Sequence, residues 1–208
     1  MSSIISMAQV KELRERTGAG IVNCKKALVE NDSDIEKAID FLREKGLAAA
    51  AKRAGRAAEQ GIVGSYIHGG GKIGVLVEIN CETDFVARTE EFQQLLKDVA
   101  MQVAAASPRC VRREEVSEAE RERERMVYRV QAEESGKPAN IIEKIVEGKL
   151  EKFYSEACLL EQTFIRDSSK TLEQVVRDAV TRTGENIVVH RFARFQIGEA
   201  GTVGEANE

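Results

Sequence analysis

Apolar positions along this chain change their period several times, and each change marks an element. Val10 and Leu13 share a helical face just after Ser6-Met7-Ala8-Gln9, which reads as a capping box with Ser6 as N-cap and Gln9 reaching back to it. Gly18 is placed as the left-handed residue that stops this helix. Ile21, Cys24 and Leu28 recur at helical spacing in a second segment, broken by Asn31-Asp32. Ser33 with Glu36 gives another capping box, followed by Ile35, Ala38, Ile39 and Leu42 on one face and by Gly46 as the expected end. Three short amphipathic helices over residues 1–46 predict a small bundle near the lower size limit for independent stability.

From Leu47 to Glu59 the chain is rich in Ala, with Lys and Arg interspersed, which favours helix but offers little apolar surface to bury. Residues 47–60 therefore read as a solvated helical linker. At Gly61 the period shortens to that of a strand: Ile62 to His68 runs out, Gly69-Gly70-Gly71 turns, and Lys72 to Asn80 returns. Helical spacing resumes with Phe92, Leu95, Leu96, Val99 and Val103, and Pro108 ends that helix beyond Ala106. A charged helix follows Ser117, whose capping partner is Glu120, and Gly136 ends it. Pro138 suits the first turn of the next helix, which uses Ile141, Ile142, Ile145, Leu150 and Phe153, with Gly148 as a weak point. A further helix after Thr171 buries Leu172, Val175, Val176 and Ala179. Ile187 to Ile197 is the last strand, with Val189, Ala193, Phe195 and Ile197 expected on its dry face. A hairpin, helices and a late strand describe an α+β core over residues 61–197, and the Gly- and Glu-rich tail 198–208 reads as disordered.

Composition narrows the function classes. Of 208 residues, 32% are charged, yet the net charge is only -4, which gives no bulk electrostatic reason to favour nucleic acid or an acidic membrane. No apolar run approaches the length of a membrane span, and Met1-Ser2-Ser3-Ile4-Ile5 lacks the features of a signal peptide. Cys24, Cys81, Cys110 and Cys158 are scattered and form no C-x-x-C pair, so a zinc site is disfavoured and a reducing cytoplasm is expected.

Candidate chemistry is sparse. Gly69-Gly70-Gly71-Lys72 fails as a phosphate loop, because Tyr66 and Ile73 stand where a Walker-type loop needs Gly and Ser or Thr. His68 and His190 belong to no acid–base motif, and Glu82 with Asp84 is too small a set for a divalent cation. No catalytic residue, cofactor or metal ligand is predicted, which leaves a binding protein. Lys52, Arg53 and Arg56 can touch RNA phosphates, but no aromatic residues interleave them. An RNA-associated helical adaptor is therefore the alternative to a protein-binding module, and steep salt dependence would distinguish it.

One stretch stands apart. Asn80-Cys81-Glu82-Thr83-Asp84-Phe85-Val86-Ala87-Arg88 connects the β-branched run Ile73–Ile79 to a helix, the kind of place where a scaffold presents functional side chains. Its pattern alone suggests that Asp84 caps a helix and Phe85 folds back into the core.

Two segments read together alter that expectation. Val10-Lys11-Glu12-Leu13-Arg14-Glu15-Arg16-Thr17-Gly18-Ala19-Gly20, continued by Cys24-Lys25-Lys26-Ala27-Leu28, resembles the N-terminal signature of the bacterial elongation factor Ts family, and Asn80 to Ala87 resembles its second signature. The similarity extends through Gly184-Glu185-Asn186-Ile187 to the last strand. The resemblance implies a UBA-like N-terminal bundle and a guanine-nucleotide exchange factor for the GTPase elongation factor Tu. It implies contacts to that GTPase through Val10, Leu13, Arg14, Ile21, Val22, Asp84 and Phe85, and a magnesium-displacing segment at Thr83, Asp84, Phe85 and Val86. Where the family often carries Met, this chain has Ile21 and Val22, so that contact would be apolar but stiffer. Phe85 becomes an expected exposed wedge. Longer members carry a duplicated core and an inserted helical hairpin, for which this chain is too short. Pairing of two copies into a homodimer is the natural expectation.

Overall fold

The structure, a computed structural model, describes residues 5–134 and 136–199, apart from the side chain of Leu47. Met1–Ile4 and the part of the expected tail beyond Glu199 lie outside the described residues. The architecture is mixed α+β, with helices first and an antiparallel sheet packed with helices after them. The chain divides into two compact units. Of the described residues, one comprises 5–61, Asn80–Gln93 and Gln174–Val188; the other comprises Ile62–Ile79, Gln94–Glu173 and 189–199.

The first unit opens with α1 (Met7–Thr17), α2 (Ile21–Glu30) and α3 (Ile35–Arg53). Ser6 and Gln9 form the expected capping box, and Gly18 ends α1 in the left-handed conformation. Val10, Leu13, Cys24, Ala27, Leu28 and Ala38 make the bundle core, flanked by half-buried Ile35, Ile39 and Leu42. Ile21 departs from expectation: it is 52% exposed, because the buried side of α2 is set by Cys24, Ala27 and Leu28.

Two boundaries also move. The cap of α3 is Asp34, not Ser33; its carboxylate accepts from Lys37 N–H at 3.1 Å, which holds the carboxyl below the usual range. Asp32 and Ser33 instead take positive φ and make the turn. Gly46 does not end α3, since the Ala-rich stretch after it carries the helix on to Arg53. What Gly46 provides is proximity: a Cβ there would meet Thr181 Oγ1 at 3.2 Å, on α8 (Leu172–Thr183), which belongs to the same unit.

The second unit holds most of a three-stranded sheet, in the order β1 (Gln60–His68), β2 (Ile73–Cys81), β5 (Ile187–Gln196). Gly69, Gly70 and Gly71 all take positive φ, a turn that side chains would strain. Val75, Val77 and Ile79 point into the core, while Val63, Ile67 and Leu76 are exposed. The last strand differs from expectation. Ile187 and Val189 are buried, but alternation slips at His190 and Arg191, and Phe195 and Ile197 are 69% and 76% exposed. Arg194 supplies the reason: its guanidinium turns inward to the Ala104 carbonyl and pairs with Glu199 at 2.8 Å, so its neighbours Ala193 and Phe195 face out. Ala104 lies near the C-terminus of α5 (Glu90–Ala106), where free carbonyls favour a cation.

The rest of this unit is a helical pair, α6 (Glu118–Glu133) and α7 (Ala139–Ala157), and a ribbon of β3 (Thr163–Phe164) with β4 (Asp167–Thr171). Ser117 caps α6 through Glu120 N–H, but the Glu120 carboxylate goes to Arg109 at 2.8 Å, so the box is one-sided. Pro138 is the N-cap of α7. Val146, Leu150, Phe153 and Tyr154 fill the interior between the two helices, and Arg129–Glu143 and Arg125–Glu147 pairs flank it.

Candidate functional site

The stretch from Asn80 to Arg88 lies in the first unit, together with the helical bundle. At the end of β2, buried Cys81 donates its thiol to the Thr83 carbonyl at 3.1 Å. Burial, with Glu185 nearby, pushes that thiol up and keeps it a donor. Thr83 then caps a single helical turn, α4 (Asp84–Ala87), by accepting from Val86 N–H at 3.3 Å. Asp84, expected as the cap, is the first residue inside the turn.

Acids on both sides brace the turn. The Glu185 carboxylate accepts from Thr83 N–H at 3.0 Å and from the Thr83 hydroxyl at 2.6 Å. The Glu82 carboxylate accepts from Asn186 N–H at 2.7 Å, and Asn186 Nδ2 donates to the Arg56 carbonyl at 2.8 Å. Each segment thus grips the backbone of the other with a charged acceptor, the stronger kind of hydrogen bond. On the C-terminal side, Thr89 donates to the Val86 carbonyl and Gln93 to that of Ala87.

With both ends fixed, one turn of helix leaves little choice of orientation. Val86 and Ala87 are 7% and 3% exposed, so Asp84 and Phe85 face outward. Phe85 is 75% exposed, an aromatic ring held over solvent by a braced backbone. Among the described residues Asp84 pairs with Arg88, at 2.7 Å and largely in solvent, a contact worth about 0–1 kcal/mol. Its carboxylate is easily redirected.

The other predicted contacts divide by burial. Ile21 and Val22 are surface residues, Val22 at 80%. Val10 and Leu13 are core residues whose side chains hold the bundle together, while Arg14 is exposed. Exposed Met7 and Val29 add apolar surface that sequence reasoning did not single out. Val29 was recoverable, since it follows Val22 by two helical turns. Arg56, from the basic cluster considered for RNA, is engaged with Glu82 at 3.4 Å. Among the described residues no group of His, Cys, Asp or Glu is arranged to hold a metal ion, and no helix is long and apolar enough to cross a membrane.

The chain is similar to known proteins along most of its length. The family described as Elongation factor TS matches residues 6–199. A protein named Elongation factor Ts from Desulforamulus reducens is 63% identical over 195 residues, covering 94% of this chain and 90% of the relative. One of the same name from Geobacter sulfurreducens is 61% identical with the same coverage. A third, from Caldanaerobacter subterraneus subsp. tengcongensis, is 60% identical over 94% of this chain and 98% of its own length.

Proposed function

Because this chain belongs to the elongation factor Ts family and is therefore a translation elongation factor, we propose that it binds elongation factor Tu–GDP and promotes release of the nucleotide, after which GTP rebinds. The observation that carries this proposal is the outward Phe85 on a turn fixed by Thr83, Glu185, Glu82 and Asn186. Ile21 and Val22 grip the nucleotide-binding domain of the GTPase, with Arg14 beside them and Val10 and Leu13 supporting them from within. Asp84 and Phe85 press on the helices beside the nucleotide and disturb its magnesium and phosphate contacts; Thr83 and Val86 hold the turn in place. The site of action is the cytoplasm.

The chemistry needs no proton transfer and no nucleophile. Exchange is coupling between two binding equilibria, so a factor that weakens nucleotide binding is weakened in its own binding by the same ratio. A thousandfold acceleration requires a barrier lower by about 4 kcal/mol. A single aromatic anchor contributes about 2 kcal/mol or more, at small entropy cost, and a redirected Asp84 competes for hydrogen-bond donors.

A homodimer completes the proposal. Val63, Ile67, Leu76, Phe195 and Ile197 give the sheet an exposed apolar face, and closed two-fold pairs are the commonest way to cover such a face with a copy of itself.

Release of fluorescent GDP from elongation factor Tu tests the exchange proposal. The chain should accelerate release strongly, and Phe85→Ala should lose about thirtyfold of that effect for a loss near 2 kcal/mol, with little change in melting temperature. An unaccelerated release, or a Phe85→Ala chain that melts early while exchanging normally, would refute it.

A further inference from the structure

Cys110 and Cys158 are 48 residues apart in sequence, yet their sulfurs are 3.6 Å apart. The backbone makes them neighbours: the two residues form an isolated parallel bridge, with Leu159 N–H donating to the Cys110 carbonyl at 2.9 Å. Cys110 is half-buried and Cys158 fully buried. Bridge-paired residues fall within the Cα separation that a disulfide tolerates, and a bond of about 2.0 Å asks the sulfurs to close by about 1.6 Å through side-chain rotation. The remaining two thiols are differently placed. Cys24 donates to the Ala19 carbonyl at 3.4 Å and Cys81 to that of Thr83 at 3.1 Å.

We propose that Cys110 and Cys158 form an oxidisable dithiol site whose co-substrate is a hydroperoxide and whose product is an intramolecular disulfide. Cys110 reacts first, being the more accessible. Its thiolate attacks the outer peroxide oxygen, the O–O bond breaks, and the alcohol leaves with a proton, giving a sulfenic acid at Cys110. The Cys158 sulfur then attacks the Cys110 sulfur, the S–O bond breaks, and water departs with the Cys158 proton. Two thiols and one hydroperoxide become one disulfide, one alcohol and one water.

Burial pushes both thiols up, Cys158 to about 12, so the thiolate is scarce at neutral pH and the site reacts slowly. Slow reaction suits a dose-dependent response rather than a rapid sensor. The disulfide closes a loop that contains the whole α6–α7 pair and ties the connection before α6 to the end of α7. Restricting the unfolded chain in this way raises stability.

The test uses the full chain with tert-butyl hydroperoxide, followed by denaturation, alkylation of the remaining thiols and peptide mass mapping. The expected product is lighter by two hydrogen atoms, with the Cys110 and Cys158 peptides joined and Cys24 and Cys81 alkylated. Its melting temperature should rise, and dithiothreitol should reverse the rise. Cys110→Ser, a substitution at the half-buried member, should leave Cys158 fully alkylatable at the same dose. A link through Cys24 or Cys81, a sulfinic acid at Cys110 beside a free Cys158, or no thiol loss after prolonged exposure to excess hydroperoxide would each overturn the proposal. So would loss of the Cys158 thiol in the Cys110→Ser chain.

Discussion

The Glu185 carboxylate holds Thr83 by both its backbone N–H and its hydroxyl, at 3.0 and 2.6 Å, across 102 residues of sequence. The same hydroxyl accepts from Val86 N–H, so one side chain connects the loop after α8 to the first turn of α4. Phe85 takes its direction from that connection.

Glu185→Ala should therefore slow exchange although Glu185 lies outside the expected contact set. Loss of charge-assisted hydrogen bonds at a partly exposed site is worth about 1.5 kcal/mol, or roughly tenfold in rate. Glu185→Gln, which keeps one acceptor oxygen, should fall between Ala and the natural residue. Stopped-flow GDP release decides the matter; an unchanged rate for Glu185→Ala would mean that α4 is held without the clamp.

Burial separates two groups of residues in the bundle that sequence resemblance had put together. Val22→Ser, at an exposed position, should change unfolding free energy by no more than about 0.5 kcal/mol and weaken association with elongation factor Tu. Leu13→Ala, at 0% exposure, should cost about 3 kcal/mol of stability. Urea unfolding and titration calorimetry, run on both variants, measure the two effects. A Leu13→Ala chain of unaltered stability would contradict its place in the core.

Pairing through the sheet predicts that Phe195→Glu, which sets a charge on the exposed apolar face at the edge strand β5, dissociates the dimer. Light scattering at micromolar concentration should give twice the 23.0 kDa chain mass for the natural sequence and a value near the single chain for the variant. A natural chain that is monomeric and fully active would remove the dimer from the proposal.

Local chemistry made much of this fold legible in the sequence. Ser6 with Gln9, Gly18, the triple-glycine turn and the apolar spacing of α5 all act within a few residues, and all appear in the structure. The sequence pattern and the structure part where several local signals compete or where a distant group decides. Asp32, Ser33 and Asp34 all suit a cap, and only the turn geometry selects Asp34. Gly46 resembles a stop, yet its role is to admit Thr181, 135 residues later. The face of β5 is set by Arg194 seeking the end of α5, a pull that alternation of apolar residues cannot report. At the site, the outward Phe85 was expected from resemblance, while its bracing by Glu185 was not legible, because nothing local to either residue announces the other.

The unit that carries Phe85 is assembled from three separate pieces of chain, the last of them Gln174–Val188. During synthesis the bundle of α1–α3 and the α4 turn leave the ribosome long before Glu185 exists, and contacts so distant in sequence are slow to close. A nascent chain can thus display the wedge residue while the clamp that aims it is still untranslated. Competence for exchange arrives late, with the second half of the chain, as a property of contact order rather than of any residue in the wedge.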